Sequence, residues 1–176
     1  MRPGRVTKEV DSLQSIFKED MMKYIVFCGL LGFAFGCNST GYGNVAFTAL
    51  VSKDITVASM AVVKYDHVLT NLGGAYQPKT GVFTVPYNGI YTISCSLLSH
   101  PANYVHLDIM KNKAVLSTLF AAAKTHPHSG QTLQLVLKKG DKIWVRNANN
   151  KPRMLHDRKV YNMFSGVLIQ ECFDDQ

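Results

Sequence analysis

Residues 80–93 read TGVFTVPYNGIYTI, two runs of alternating apolar and polar residues, each opened by a glycine, with Pro86-Tyr87-Asn88-Gly89 between them. A period of two is the mark of a half-buried β-strand, because successive side chains leave opposite faces of an extended backbone. Continued through Leu97, the second run puts Tyr91, Ile93, Cys95 and Leu97 on one face and Thr92, Ser94 and Ser96 on the other. Helical periodicity is not sustained anywhere. Short apolar runs recur instead at the roughly 8–12-residue spacing of a sandwich or barrel. Strands are expected over 45–51, 57–65 (with a kink), 83–85, 90–98, 104–109, 115–123, 133–137, 143–146 and 164–169. A turn is expected at 138–141 and a polar loop at 147–152. The chain is predicted to be all-β.

Its 176 residues fit one domain plus a leader. An apolar share of 47% against 18% charged residues supplies a core and argues against disorder. The glycines have no three-residue period, so no collagen stalk is expected within these residues, and no longer repeat is visible.

The leader is expected to occupy residues 1–36. Residues 1–20 are polar and mixed in charge, and an uncharged apolar run over 24–35 follows Lys23, with small residues at Ala34 and Gly36. That is the n-region, h-region and cleavage site of a secretory signal peptide, with cleavage near 36/37. The run is well short of the ~20 residues that cross a bilayer as a helix, which disfavours an anchor. Met21 or Met22 is an alternative start. A linker over 37–44, a domain over 45–170 and a tail over 171–176 complete the division.

Residues 37–176 carry eleven Lys and three Arg against seven Asp and one Glu, a balance of +6, together with all six His. A basic extracellular domain concentrates anions such as acidic glycans, lipid phosphate or sulfate, although an evenly solvated surface has the same count. Nucleic acid is not expected, since no matching motif is present. With Cys28 lost in the leader, Cys37, Cys95 and Cys172 remain, an odd number for an oxidising compartment. The alternation assigns Cys95 to the core as a small hydrophobe. Asn38-Ser39-Thr40 is a glycosylation sequon. The run 164–169 is apolar on both faces, so it needs a second cover, for which another subunit is preferred over a loop.

Four motifs in order carry a resemblance. They are Tyr65-Asp66-x-Val68-Leu69-x-Asn71-x-Gly73; Tyr76 followed by Thr80-Gly81-x-Phe83-x-x-Pro86-x-x-Gly89-x-Tyr91; Leu135-x-Leu137-x-x-Gly140-Asp141-x-Ile143-Trp144-Val145; and Phe164-Ser165-Gly166-x-Leu168. With them the chain resembles the globular C1q domain family, of the short head-only type. The resemblance implies a ten-stranded antiparallel jelly roll like that of tumour necrosis factor, assembled as a trimer with the last strand near the subunit interface. It also implies that the first and last strands lie side by side, which brings Cys37 and Cys172 within reach of a disulfide. A bridge between protomers is an equal rival. The function implied is recognition of microbial or other polyanionic surfaces in innate immunity. The alternatives are a cytokine-like ligand for a cell-surface receptor and an extracellular carrier of divalent metal or matrix.

Several relatives hold calcium through aspartates in the loop that here is 124–130. This loop has no carboxylate, and calcium requires oxygen ligands, so no calcium or other cofactor is expected. Lys124, His126 and His128 suit an anion, or the two His a softer ion such as zinc; a solvated loop is the plain alternative. Lys111 and Lys113, Lys138 and Lys139, and Lys151 with Arg153 form basic turn or loop clusters. They are candidates for anionic ligands, or simply charges that keep sheet edges from pairing. Trp144 is expected to pack structurally. Catalysis is not expected, because no Gly-x-Ser-x-Gly, His-Glu-x-x-His or phosphate-loop motif occurs.

Overall fold

The structure, a computed structural model, describes residues 43–157 and 161–172. The leader and its cleavage point, Cys37 and Asn38 lie outside the described residues. Among the described residues there are twelve strands: β1 (Ala46–Leu50), β2 (Ile55–Val57), β3 (His67–Leu72), β4 (Tyr76–Gln77), β5 (Val82–Thr84), β6 (Gly89–Leu98), β7 (Val105–Lys111), β8 (Ala114–Ala121), β9 (His128–Leu137), β10 (Lys142–Asn147), β11 (Arg153–Leu155) and β12 (Met163–Glu171). No helix among them is long and apolar enough to cross a membrane.

Two five-stranded sheets have the orders β3-β1-β12-β6-β9 and β4-β5-β10-β7-β8. All pairings are antiparallel, and the chain passes repeatedly between the sheets, as in a jelly roll. The expected ten strands correspond to these two sheets, and a two-stranded ribbon of β11 and β2 is added to them. The first and last strands are neighbours, with Phe47 opposite Gly166.

The opening motif builds β5 and β6. Residues of β6 alternate between buried and half-buried, as a strand with one face in the core must. Cys95 is 2% exposed, and its thiol lies 3.4 Å from the Tyr65 hydroxyl. Burial pushes that thiol up to about 12, which makes it inert at neutral pH. Tyr91 is buried and donates from its hydroxyl to the Tyr87 carbonyl at 2.8 Å. Phe83 and Phe164 are fully buried. Gly81 has φ +75°, and a Cβ there would meet the Val63 carbonyl oxygen, so glycine is required twice over. Trp144 stands half-buried on the outer face of β10, while Ile143 and Val145 point inward.

Three expectations need correction. The predicted strand over 57–65 breaks after Val57: Met60 takes φ 58°, and the chain turns back to β10 through Val63 N–H to the Val145 carbonyl at 2.8 Å. The loop expected over 124–130 ends early, because β9 begins at His128 and pairs through Leu98 of β6. The long β6 supplies the backbone partners for this polar stretch, whose Ser129 to Gln131 show no alternation. Arg153 is not in a loop: it lies on β11, opposite Val57.

Candidate functional site

The predicted contact residues divide between the two ends of the sandwich. At one end the β7–β8 hairpin and the β9–β10 turn interlock. Asn112 takes φ 52°, and its N–H donates to the Lys142 carbonyl at 2.8 Å while its Oδ1 accepts the Lys142 N–H at 2.9 Å. Asp141 lies between the two turns. It accepts the Lys138 amide at 2.9 Å, the Asn112 side-chain amide at 2.8 Å and the Lys111 ammonium at 2.9 Å. Partial burial pushes the Asp141 carboxyl up, but these donors outweigh it and hold the group below its ordinary value.

The segment that follows β5 braces this knuckle. Val85 N–H donates to the Asp141 carbonyl, Gly140 N–H to the Val85 carbonyl and Lys139 N–H to Asn88 Oδ1, each at 2.8 Å. Lys111, Lys113, Lys138, Lys139 and Lys142 therefore belong to two interlocked turns; the Lys111 ammonium is the one that pairs with Asp141, and the other four lysines are exposed. Turns that are separate in sequence become one basic surface.

Lys124, His126, His128 and Arg153 belong to the other end. Lys124 takes φ 73° and donates its N–H to the Pro101 carbonyl at 2.8 Å, tying the 122–127 loop to the 99–104 loop. The His126 ring sits 5.1 Å from that of His156, which in turn lies 5.7 Å from the ring of His100. His156 Nδ1 is 3.2 Å from the Asp54 carboxylate. One ligand atom each from Asp54, His100 and His156 lie within 4.8 Å of one another.

Backbone bonds hold this cluster. His156 N–H donates to the Leu98 carbonyl at 3.1 Å, His100 N–H to the Met154 carbonyl at 3.2 Å, and Asp157 N–H to Asp54 Oδ1 at 2.8 Å. The Asp157 amide is the main cause that lowers the Asp54 carboxyl, with His156 adding to it against a smaller desolvation. Beside the cluster, the Arg153 guanidinium lies 4.2 Å over the Tyr104 ring, and Tyr104, His106 and Phe120 form an aromatic row with Tyr104 and Phe120 exposed. Asp54, His100 and His156 had no signal in the sequence, because positions 54, 100, 126 and 156 come from four separate segments and match no metal-ligand spacing.

The outer face of the first sheet is polar around Ser94 and Thr132 but carries exposed apolar residues beside them. Leu72, Val136, Val167 and Ile169 are exposed there, and β1 places Ala46 between Leu72 and Val167. A pocket lined by Val45, Ala46, Leu72, Val167 and Ile169, among others, opens at one edge of this face.

A family model described as C1q domain matches residues 46–169. The human and mouse proteins named Complement C1q tumor necrosis factor-related protein 3 are each 26% identical to this chain over 132 residues, which is 73% of it and 52% of either relative. The chain thus spans about half the length of the curated relatives it matches. Among solved structures, the globular domain of zebrafish complement 1qA is 22% identical and superposes with a TM-score of 0.63, covering 73% of this chain and 99% of that one. Eiger TNF from S. frugiperda is 15% identical and superposes at 0.61, covering 77% and 98%. These two likenesses are to the jelly roll alone. The family match runs from the first strand of the sandwich to the last, and the chain belongs to the C1q domain family.

Proposed function

We propose that the protein is a secreted recognition module that binds microbial or other polyanionic surfaces as a trimer, without catalysis. The observation that carries the ligand class is the basic knuckle. Two interlocked turns carry five lysines and one carboxylate, and that carboxylate is already engaged with Lys111, Asn112 and the Lys138 amide. Positive charge on a rigid turn attracts sulfate, phosphate or carboxylate groups at little ordering cost. Secretion rests on the apolar run over 24–35 and a trimer on the exposed apolar residues Leu72, Val136, Val167 and Ile169 of the first sheet. Three copies of one weak site gain affinity on a repetitive surface through avidity.

Binding to immobilised heparin and to lipopolysaccharide tests the reading, with the triple variant Lys113→Gln/Lys138→Gln/Lys139→Gln beside the parent. Lys111 stays intact because it holds Asp141. The parent should bind and lose affinity as salt rises, since exposed charges are screened beyond about 8 Å at physiological ionic strength. The variant should bind at least ~10-fold more weakly, about half a kcal/mol for each exposed lysine removed. Equal binding by the variant, or no binding of the parent to any polyanion, would sink the assignment.

A further inference from the structure

We propose that each chain binds one divalent ion of the zinc class through Asp54, His100 and His156, with His126 as the fourth ligand. The site is separate from the basic knuckle and does not depend on polyanion binding. Tetrahedral zinc takes nitrogen and oxygen donors at about 2.0–2.1 Å, which places neighbouring ligand atoms about 3.3 Å apart. The Asp54 carboxylate and His156 Nδ1 stand 3.2 Å apart already. An ion between them takes the place of that contact, with the imidazole proton carried on Nε2. The third ligand atom, from His100, is within 4.8 Å of both and closes by rotation of a half-buried side chain.

The remaining contacts suit this role. Asp54 Oδ1 accepts the Asp157 N–H at 2.8 Å, which orients the carboxylate from behind. The competitor at His100 is local: its Nδ1 accepts the Ala102 N–H at 3.1 Å, and Ala102 is exposed, so water replaces that bond when the ion takes the nitrogen. His126 is on an exposed loop with its ring 5.1 Å from that of His156. The loop is tethered just ahead of His126, through Lys124 N–H to the Pro101 carbonyl and Ser99 Oγ to the Ala122 carbonyl at 3.1 Å. Three imidazoles and one carboxylate select zinc-class ions over calcium, which takes six to eight oxygens.

The test is calorimetric titration of the untagged full chain with zinc chloride, repeated with cobalt(II) to read the strong visible bands of a four-coordinate site. One ion per chain and a rise in Tm with zinc are expected. His100→Ala should weaken binding by at least ~100-fold and abolish the cobalt bands, and His126→Ala should weaken it by about 10-fold, in line with loss of a ligand or its support. His128→Ala, on β9, should bind like the parent. Thermal unfolding in chelator checks that the variants fold, and His126→Ala carries the test if His100→Ala does not. Unchanged zinc affinity in a folded His100→Ala or His126→Ala, or loss of binding in His128→Ala alone, overturns the proposal.

Discussion

Phe47 lies at the centre of the core's aromatic stack. Its ring is 4.9 Å from Tyr76, 4.7 Å from Phe83 and 4.9 Å edge-on from Phe164, so both sheets meet on one side chain. Gly166 stands opposite on β12, and a Cβ there would come within 2.5 Å of Phe47 Cε1 and 2.9 Å of Ile93 Cδ1. Gly166→Ala should therefore destabilise by about 1–3 kcal/mol, the usual cost of overpacking a filled core. Phe47→Ala should cost about 3–5 kcal/mol by leaving a cavity. Urea unfolding at fixed protein concentration measures both. A Gly166→Ala protein as stable as the parent would show that the glycine is not required for packing. The Phe164-Ser165-Gly166 motif was visible in the sequence, but the reason for its glycine was not, since the partner ring is more than a hundred residues away.

At the scale of elements, the β7–β8 hairpin and the β9–β10 turn are joined by Asp141 and by the paired bonds of Asn112 with Lys142. Asp141→Asn removes the charge that faces Lys111 and weakens the bonds from Asn112 and the Lys138 amide. About 1–2 kcal/mol of stability should be lost at pH 7. The sign with pH follows from a carboxyl held below its ordinary value in the fold. Its contribution is complete above the unfolded value, about 3.9, and is lost as pH falls through the lower folded value. Stability curves of parent and variant should therefore converge under acid, and a gap that persists at about pH 2 would refute the role. Among strands, β5, β6 and β10 were legible because apolar and polar residues alternate along them, and β7 because its sequence alternates over 104–109 even though Asp108 and Met110 are buried as well. Edge strand β3 was not, because both its faces are largely exposed, Leu69 and Leu72 included, and no alternation results. Both β2 and β11 are three residues long, too short to show a period.

For the whole molecule, the exposed apolar residues on the outer face of the first sheet make a prediction about assembly. Val136 is 72% exposed and Val167 43%, on strands either side of β6. In a trimer that covers this face, Val136→Asp/Val167→Asp would bury two unpaired charges, each costing several kcal/mol. Light scattering should then report a trimer for the parent and a monomer for the variant. A parent that is monomeric at micromolar concentration, or a variant that remains trimeric, would remove the trimer from the proposed function. The all-β class, the strand pair inside TGVFTVPYNGIYTI, the core place of Cys95 and the family were settled by the sequence, because each is written in local alternation or in motifs of fixed spacing. The tertiary structure alone decided which surface residues are neighbours. It paired Lys111 with Asp141 and interlocked the two lysine-bearing turns, set His126 beside His156, and brought Asp54 and His100 to the same end. Strand periodicity records which side of a sheet a residue faces, whereas which loops meet at the end of a sandwich depends on the crossovers between sheets, which no local pattern encodes.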